Sequence, residues 1–154
     1  MKRLFTTSLT TLAFALGFGS IASAYGPPTP DVYVVMFRAD WCAPCKIVEP
    51  RLEQALNNLR DPRIEYVYID IGSGQGDMNA HTVFDRGLVP QYNMWMGVTG
   101  FAAIIDGDTK QTMGCVNMNY ETADMAAHIR ALQSQAQRNA PAFDLTCPEA
   151  NNPI

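Results

Sequence analysis

Residues 32–46 have the sequence VYVVMFRADWCAPCK. The first part, Val32 to Phe37, is a nearly continuous apolar run, which is typical of a strand buried on both faces of a sheet. A helix reaching about Arg60 is predicted to follow, because apolar residues recur there at helical spacing: Val48, Leu52, Ala55, Leu56 and Leu59. The stretch therefore predicts a buried strand that leads directly into an amphipathic helix.

Two cysteines, Cys42 and Cys45, lie where this strand gives way to the helix. A cysteine at a helix N-terminus is favoured as a thiolate, since unpaired N–H groups and the helix dipole stabilise negative charge there. The thiolate is the species that attacks a disulfide, and Cys45 is close enough to form a disulfide with Cys42. Pro44 suits the first helical turn, where its missing N–H is not needed. The spacing predicts a redox-active pair.

Half of a zinc site is the rival interpretation of this pair. It would be completed by Cys115 and Cys147, or by His81 and His128. Those residues show no second paired spacing, and an oxidising compartment disfavours free zinc thiolates. We therefore expect no metal and no cofactor, and we expect both histidines to be surface or half-buried side chains.

The remaining sequence predicts the element order β-α-β-α-β-β-α. Two β-α-β steps favour parallel strands with right-handed crossovers, and an Asp106-Gly107 hairpin adds an antiparallel edge. The fold class is α/β, with a small mixed central sheet and helices on both faces. After the first helix we expect a strand at Ile64–Ile71, a helix at 78–86, a turn at Pro90–Tyr92, strands at Phe101–Ile105 and Thr109–Met113, and a helix from Tyr120 to about Arg138 capped by Asn119.

Composition limits the classes of protein that remain. The chain has 154 residues, enough for one domain, and its 47% hydrophobic content excludes a disordered tail. Acidic residues outnumber basic ones by 15 to 11, so we expect no nucleic-acid partner.

The first residues have the pattern of a secretory signal peptide. Lys2 and Arg3 precede an apolar stretch, and Ala22-Ser23-Ala24 is an A-x-A cleavage motif. A single membrane anchor is the alternative, but Thr, Ser and Gly interrupt the apolar run. We expect a signal peptide over residues 1–24, a proline-rich leader over 25–30, and a periplasmic or secreted protein in a compartment that permits disulfides.

The segment Val35–Lys46 resembles the active-site strand and loop of the thioredoxin superfamily. The W-C-x-P-C element is highly specific, and Pro50, Pro90-Gln91-Tyr92 and Gly114 match further positions of that family. The resemblance covers about residues 31–138. It implies a minimal thioredoxin-like fold without the family's first strand and helix, and it places Gly114 after the final strand, on the surface around the active site.

The resemblance also implies roles for the motif residues. Cys42 would be the attacking thiol and Cys45 the buried, resolving thiol. Proline at position 44 is similar to the reducing members of the family, so we expect reduction of substrate disulfides. Substrate docking would involve Trp41, Ala43, Pro44, Val98 and Thr99.

Three positions depart from the family pattern. Met36 stands where the family usually has a buried acid, and Tyr66 where a lysine partners that acid. The usual proton relay for the buried thiol is therefore absent, and water or Asp40 would have to serve. Thr99 replaces a cis-proline, and because a non-proline cis bond costs about 2.5–4 kcal/mol, we expect a trans peptide there.

Cys115 and Cys147 form the second cysteine pair. Cys147 lies in a C-terminal tail, residues 139–154, and Cys115 is expected beside the surface around Cys42. A structural disulfide that ties the tail to the domain is the first interpretation, and closing the loop would contribute about 3–4 kcal/mol. The alternative is a second redox pair that relays electrons with Cys42.

Other residues expected near the active site leave two questions open. Thioethers suit Cu(I), but methionine is more often a core filler or an adaptable docking surface, and this is the first interpretation of Met94, Met96, Met113 and Met118. Arg38 either raises the thiolate fraction of Cys42 or points to solvent.

The sequence as a whole predicts an exported thiol–disulfide oxidoreductase. It would reduce disulfides of other exported proteins, be recharged by a membrane-bound electron donor, and act as a monomer. The alternative is a copper-handling module that uses Cys42, Cys45 and nearby methionines.

Overall fold

In the part of the chain that the structure describes, four strands form one sheet in the order β2-β1-β3-β4. The strands are β1 (Val32–Arg38), β2 (Ile64–Asp70), β3 (Phe101–Asp106) and β4 (Thr112–Asn117). The helices are α1 (Cys45–Leu59), α2 (Gly76–Arg86), α3 (Val89–Met94) and α4 (Thr122–Ala136). A computed structural model describes residues 29–72, 76–140 and 146–150. The predicted signal peptide and most of the predicted leader lie outside these residues.

Strand β1 is the centre of the sheet. It pairs in parallel with β2 and antiparallel with β3. All six residues from Val32 to Phe37 are buried, as the continuous apolar run predicts.

Hydrophobic residues pack in two clusters, one on each face of the sheet. Helices α1 and α4 cover one face, through residues that include Val48, Leu52, Met125 and Ile129. We call this the α1/α4 face. Helices α2 and α3 cover the other, the α2/α3 face, where Val83 and Leu88 pack against Phe37 and Cys115. The predicted α/β class, a mixed sheet with helices on both faces, is confirmed.

The direction of β3 differs from the prediction. β2 ends beside Arg38, and β3 begins beside Phe37, so the α2–α3 connection returns to the same end of the sheet that it left. The next strand must then run antiparallel to β1. The prediction of a second parallel step was therefore wrong, and the residues expected to form a turn at 90–92 belong to helix α3.

The β3–β4 hairpin has a longer loop than Asp106-Gly107 predicts. The Oδ1 atom of Asp106 accepts N–H groups from Asp108 (2.9 Å) and Thr109 (2.7 Å), and Lys110 has a positive φ of 60°. The carboxylate stabilises these residues as a turn, so β4 begins at Thr112 rather than Thr109. Gly114, predicted to follow the last strand on the surface, is buried within β4.

Helix α4 buries the predicted face but begins later than predicted. Met125, Ile129, Leu132 and Ala136 are all buried. The N-cap position is Glu121, so the prediction of Asn119 as the cap was wrong. Asn119 belongs to the preceding turn, where its N–H donates to the side chain of Asn117.

No helix within the described ranges is both long and apolar enough to cross a bilayer.

Ile129 provides a test of the α1/α4 face. It is fully buried, and Ile129→Ala should lower the free energy of unfolding by about 2–5 kcal/mol, because methyl groups are lost and a cavity remains. Ile47 is the matched control, since it lies on α1 with 44% of its surface exposed. Ile47→Ala should cost about 0.5 kcal/mol or less in denaturant titrations. Equal losses of stability would contradict the burial of Ile129 and the exposure of Ile47.

Candidate active site

Cys42 and Cys45 lie at the junction of β1 and α1. They form a disulfide with an S–S distance of 2.02 Å. The turn before them is closed by a 3.0 Å hydrogen bond from the Cys42 N–H to the Ala39 carbonyl, and Pro44 occupies the N-cap position of α1. The predicted strand–motif–helix arrangement is therefore present.

The two sulfurs have different neighbours. The N–H of Cys45 donates to Cys42 Sγ at 3.1 Å, whereas Cys45 Sγ lies 3.9 Å from the carbonyl oxygen of Phe37. An N–H donor stabilises a thiolate, and a carbonyl oxygen favours the protonated thiol. After reduction, Cys42 is thus the better placed nucleophile. Both side chains are buried in the disulfide form, although the resemblance implied burial for Cys45 alone.

The predicted docking residues surround this disulfide unevenly. Trp41 is 68% exposed, so its indole is a surface group and not part of the core. Ala43 and Pro44 are exposed, and Val98 and Thr99 are half-buried. The described residues contain no cis peptide bond, so the peptide before Thr99 is trans, as expected.

Gly100 is a site residue that sequence reasoning missed. Its N–H donates to the Phe37 carbonyl at 3.0 Å, and its φ is +89°. A Cβ atom there would lie 2.8 Å from Pro44 Cβ and 3.6 Å from Cys42 Sγ. The only signal in the sequence is a glycine after Thr99, which does not reveal what the backbone approaches.

Arg38 takes neither of the two predicted roles. Its guanidinium binds Asp70 at 2.6 Å, Asp40 at 2.7 Å and Glu49 at 3.5 Å. The hydrogen bond that Arg38 donates to Asp70 is the largest cause of a pKa for Arg38 above its ordinary value. Its positive charge is balanced by carboxylates from the loop, α1 and β2, and the side chain does not extend into solvent.

The departures from the family's proton relay are visible in the packing. Met36 is fully buried on the α1/α4 face together with Cys45. The Tyr66 hydroxyl is buried and has no hydrogen-bond partner in the described part of the chain, and burial is the main cause of its raised pKa. Asp40, proposed above as a substitute, has a side chain that is 88% exposed and bound to Arg38. That position does not suit proton exchange with a buried thiol.

The second cysteine pair lies on the opposite side of the sheet. Cys115 and Cys147 form a disulfide within the α2/α3 face, whereas Cys42 and Cys45 pack on the α1/α4 face. The Thr146 hydroxyl bonds to both the N–H (3.1 Å) and the carbonyl (2.7 Å) of Cys115. The expectation that Cys115 borders the surface around Cys42 was wrong, because β4 extends through residue 115. This placement favours a structural bond over an electron relay.

The residues considered for metal binding do not converge. Met94 packs against the α2/α3 face and Met113 belongs to the α1/α4 face, so they do not form one thioether site. Within residues 29–72, 76–140 and 146–150, no group of three or more His, Cys, Asp or Glu side chains could hold a metal. His81 is exposed, and the His128 ring lies 5.4 Å from that of Tyr120.

Comparisons with known proteins point to one family. Residues 28–87 match the family model described as Thioredoxin. Thioredoxin H8 of Arabidopsis thaliana is 42% identical over 43 residues, a match that spans 28% of this chain and 28% of that protein.

Two solved structures are also similar. The thiol:disulfide interchange protein of the thioredoxin family from Chlorobium tepidum TLS has 19% identity over 68% of this chain and 81% of that chain, with a TM-score of 0.48. The first thioredoxin domain of mouse protein disulfide-isomerase A4 has 19% identity over 80% of this chain and 74% of that chain, with a TM-score of 0.42.

The family match and the C-x-x-C pair at the start of α1 lead to the same assignment. Residues 28–87, which are less than half of the chain, resemble the thioredoxin family.

Gly100 should be intolerant of a side chain. Gly100→Ala places a methyl group against Pro44 and adds the strain of a positive φ, about 1–2 kcal/mol. We expect a slower reduction of a protein disulfide and a larger loss of stability than that strain alone causes. Gly87 is the matched control, since its φ is +68° but the nearest contact of a Cβ would be 3.6 Å away. If Gly87→Ala and Gly100→Ala behave alike, the close approach to Pro44 has no consequence.

The two disulfides should differ in their response to reductant. Cys42–Cys45 lies at the N-terminus of α1, where the N–H of Cys45 would stabilise the Cys42 thiolate released on reduction, whereas the buried Cys115 and the partly buried Cys147 pack within the α2/α3 face. Mild reductant should therefore open Cys42–Cys45 first and leave Cys115–Cys147 intact, as alkylation followed by mass spectrometry would show. Loss of both bonds in one step, or a Cys42–Cys115 linkage, would contradict a purely structural second pair.

Proposed function

We propose that this protein is an exported thiol–disulfide oxidoreductase that reduces disulfides of other exported proteins. The observation that carries the proposal is the 3.1 Å hydrogen bond from the Cys45 N–H to Cys42 Sγ at the start of α1. A helix N-terminus and a direct N–H donor both favour the thiolate of Cys42, and the thiolate is the attacking species.

The reaction proceeds by two exchanges. The Cys42 thiolate attacks one sulfur of the substrate disulfide, which forms a mixed disulfide and releases one substrate thiolate. Cys45 then loses its proton and attacks Cys42 Sγ, so that the Cys42–Cys45 disulfide forms and the second substrate thiolate leaves. Two electrons pass to the substrate, whose two sulfurs take up protons from solvent.

The exposed residues around Cys42 suit a protein substrate. Trp41, Ala43 and Pro44 form an exposed border beside the buried sulfurs, and large exposed aromatic groups are typical of docking surfaces. Because Cys42 is buried in the disulfide form, this border has to adjust when substrate approaches. After each turnover, a membrane-bound electron donor would reduce the Cys42–Cys45 disulfide again, in keeping with an exported location.

Substrate trapping tests the roles of the two cysteines. In Cys45→Ser, the mixed disulfide on Cys42 has no internal thiol to resolve it, so covalent adducts with exported proteins should accumulate. Non-reducing gels and mass spectrometry of adducts isolated from the exported fraction would detect them.

Cys42→Ser is the matched control and should form no adducts. Adducts on Cys42→Ser rather than on Cys45→Ser would reverse the assigned roles. Failure of the wild-type protein to reduce a generic disulfide substrate would overturn the proposed activity itself.

A further inference from the structure

The outer edge of β2 is open along part of its length. Within the described residues, β2 pairs only with β1, which lies on its inner side. The carbonyl of Arg63 and the N–H of Ile71 bond to β1, so by alternation the main-chain groups of Tyr66 and Tyr68 face outward. Among the described residues, neither main chain has a partner there. An edge of this kind can accept an added strand.

The same edge is closed at its carboxyl end. The Asn79 side chain accepts the N–H of Asp70 at 3.2 Å and donates to the Asp70 carbonyl. The outer edge of β4 is closed similarly, since Thr146 bonds to both main-chain groups of Cys115. Side chains therefore bond to main-chain groups of each edge strand, at Asp70 in β2 and at Cys115 in β4. The outward main-chain groups of Tyr66 and Tyr68 are not covered in this way.

A cavity borders this open edge on the α1/α4 face. Its volume is about 350 Å³, and it is lined by Glu53, Leu56, Asn57 and Tyr66. No described residue bonds to the buried Tyr66 hydroxyl, although a buried polar group normally has a hydrogen-bond partner. Glu53 is exposed, and none of the described residues forms an ion pair with it. The apolar wall, carboxylate and free hydroxyl suit the aliphatic stem and charged head of a lysine or arginine.

The charges around the edge select among possible occupants. Four carboxylates lie near Tyr66 and Tyr68 or end the strand: Asp40, Glu49, Glu53 and Asp70. Arg38 binds three of them and leaves Glu53 without an ion pair among the described residues, and Arg86 is paired with Glu65 of β2. A second copy of this chain would bring the same acidic groups face to face, which is unfavourable. A basic segment would instead be attracted.

We propose that the open edge of β2 binds an extended, basic segment of a partner polypeptide. The segment adds as a strand through the main-chain groups of Tyr66 and Tyr68, and it places a lysine or arginine side chain in the cavity beside Glu53. This site is separate from the cysteine chemistry and does not depend on it.

Two synthetic heptapeptides test the site with the purified wild-type protein. The probe is acetyl-SVTKTVS-amide, and its matched partner has glutamate in place of the central lysine. Titration followed by NMR should shift the amide signals of Tyr66 and Tyr68 and slow their hydrogen exchange. The lysine peptide should bind at least about fivefold more tightly than the glutamate peptide.

Two conservative variants test the cavity. Tyr66→Phe removes only the unpartnered hydroxyl and should weaken binding of the lysine peptide by about two- to tenfold. Glu53→Gln should weaken binding of the lysine peptide by about two- to fivefold and reduce the difference in affinity between the lysine and glutamate peptides. Asp85→Asn is the control, because Asp85 is an exposed carboxylate on α2 that leaves the edge unchanged. The disulfide reductase activity of all three variants should be unaltered.

Several results would overturn the proposal. These are equal affinity for the two peptides, no shift at millimolar peptide, or shifts confined to residues around Cys42. Amides of Tyr66 and Tyr68 that are already protected before peptide is added would show that the chain itself, or a second copy, occupies the edge. Sedimentation would identify the second copy by its dependence on protein concentration. Since reductase activity is measured in parallel, failure here is distinguishable from failure of the proposed function.

Discussion

The carbonyl group of Phe37, at the end of the central strand, is the point on which the site depends. It accepts the N–H of Gly100 at 3.0 Å and lies 3.9 Å from Cys45 Sγ. The Phe37 ring stacks on Phe101, with 5.1 Å between the ring centres, and meets the edge of Trp95. One residue thus positions the resolving sulfur on one face of the sheet and anchors the aromatic packing on the other. A shift of β1 at this point would move both sulfurs and the loop that covers them.

The sheet also separates two kinds of disulfide chemistry. The Cys42–Cys45 bond lies at a helix start, beside exposed loop residues, where thiolate formation is favoured. The Cys115–Cys147 bond lies within the opposite cluster, where Thr146 and a 3.2 Å bond from the Trp95 indole N–H to the Pro148 carbonyl hold the tail. Because Trp95 contacts Phe37, the held tail supports the strand that carries the active site. Its role is therefore best described as stabilising that strand.

Several features of the fold and site followed from the sequence. The apolar run of β1, the inward face of α4 and the position of the cysteine pair all depend on residues close together in the chain. The hairpin and the fourth strand were misplaced, because the side chain of Asp106 stabilises a longer loop than the Asp106-Gly107 pair suggests. The ion pairs of Arg38 were not predicted, for a related reason. Its carboxylate partners lie 2, 11 and 32 positions away, and only folding selects them.

The sequence by itself determined the local elements and the chemistry at Cys42, since periodicity, the helix start and the two-residue spacing act over a few residues. Tertiary structure alone decided that β3 runs antiparallel to β1, that Gly100 closes on Pro44, and that the second disulfide lies across the sheet. It likewise left the outer groups of Tyr66 and Tyr68 without partners in the described part of the chain. These features depend on which distant segments meet. Which distant segments meet is determined by the burial of the two hydrophobic clusters on opposite faces of the sheet. No short stretch of sequence encodes that arrangement.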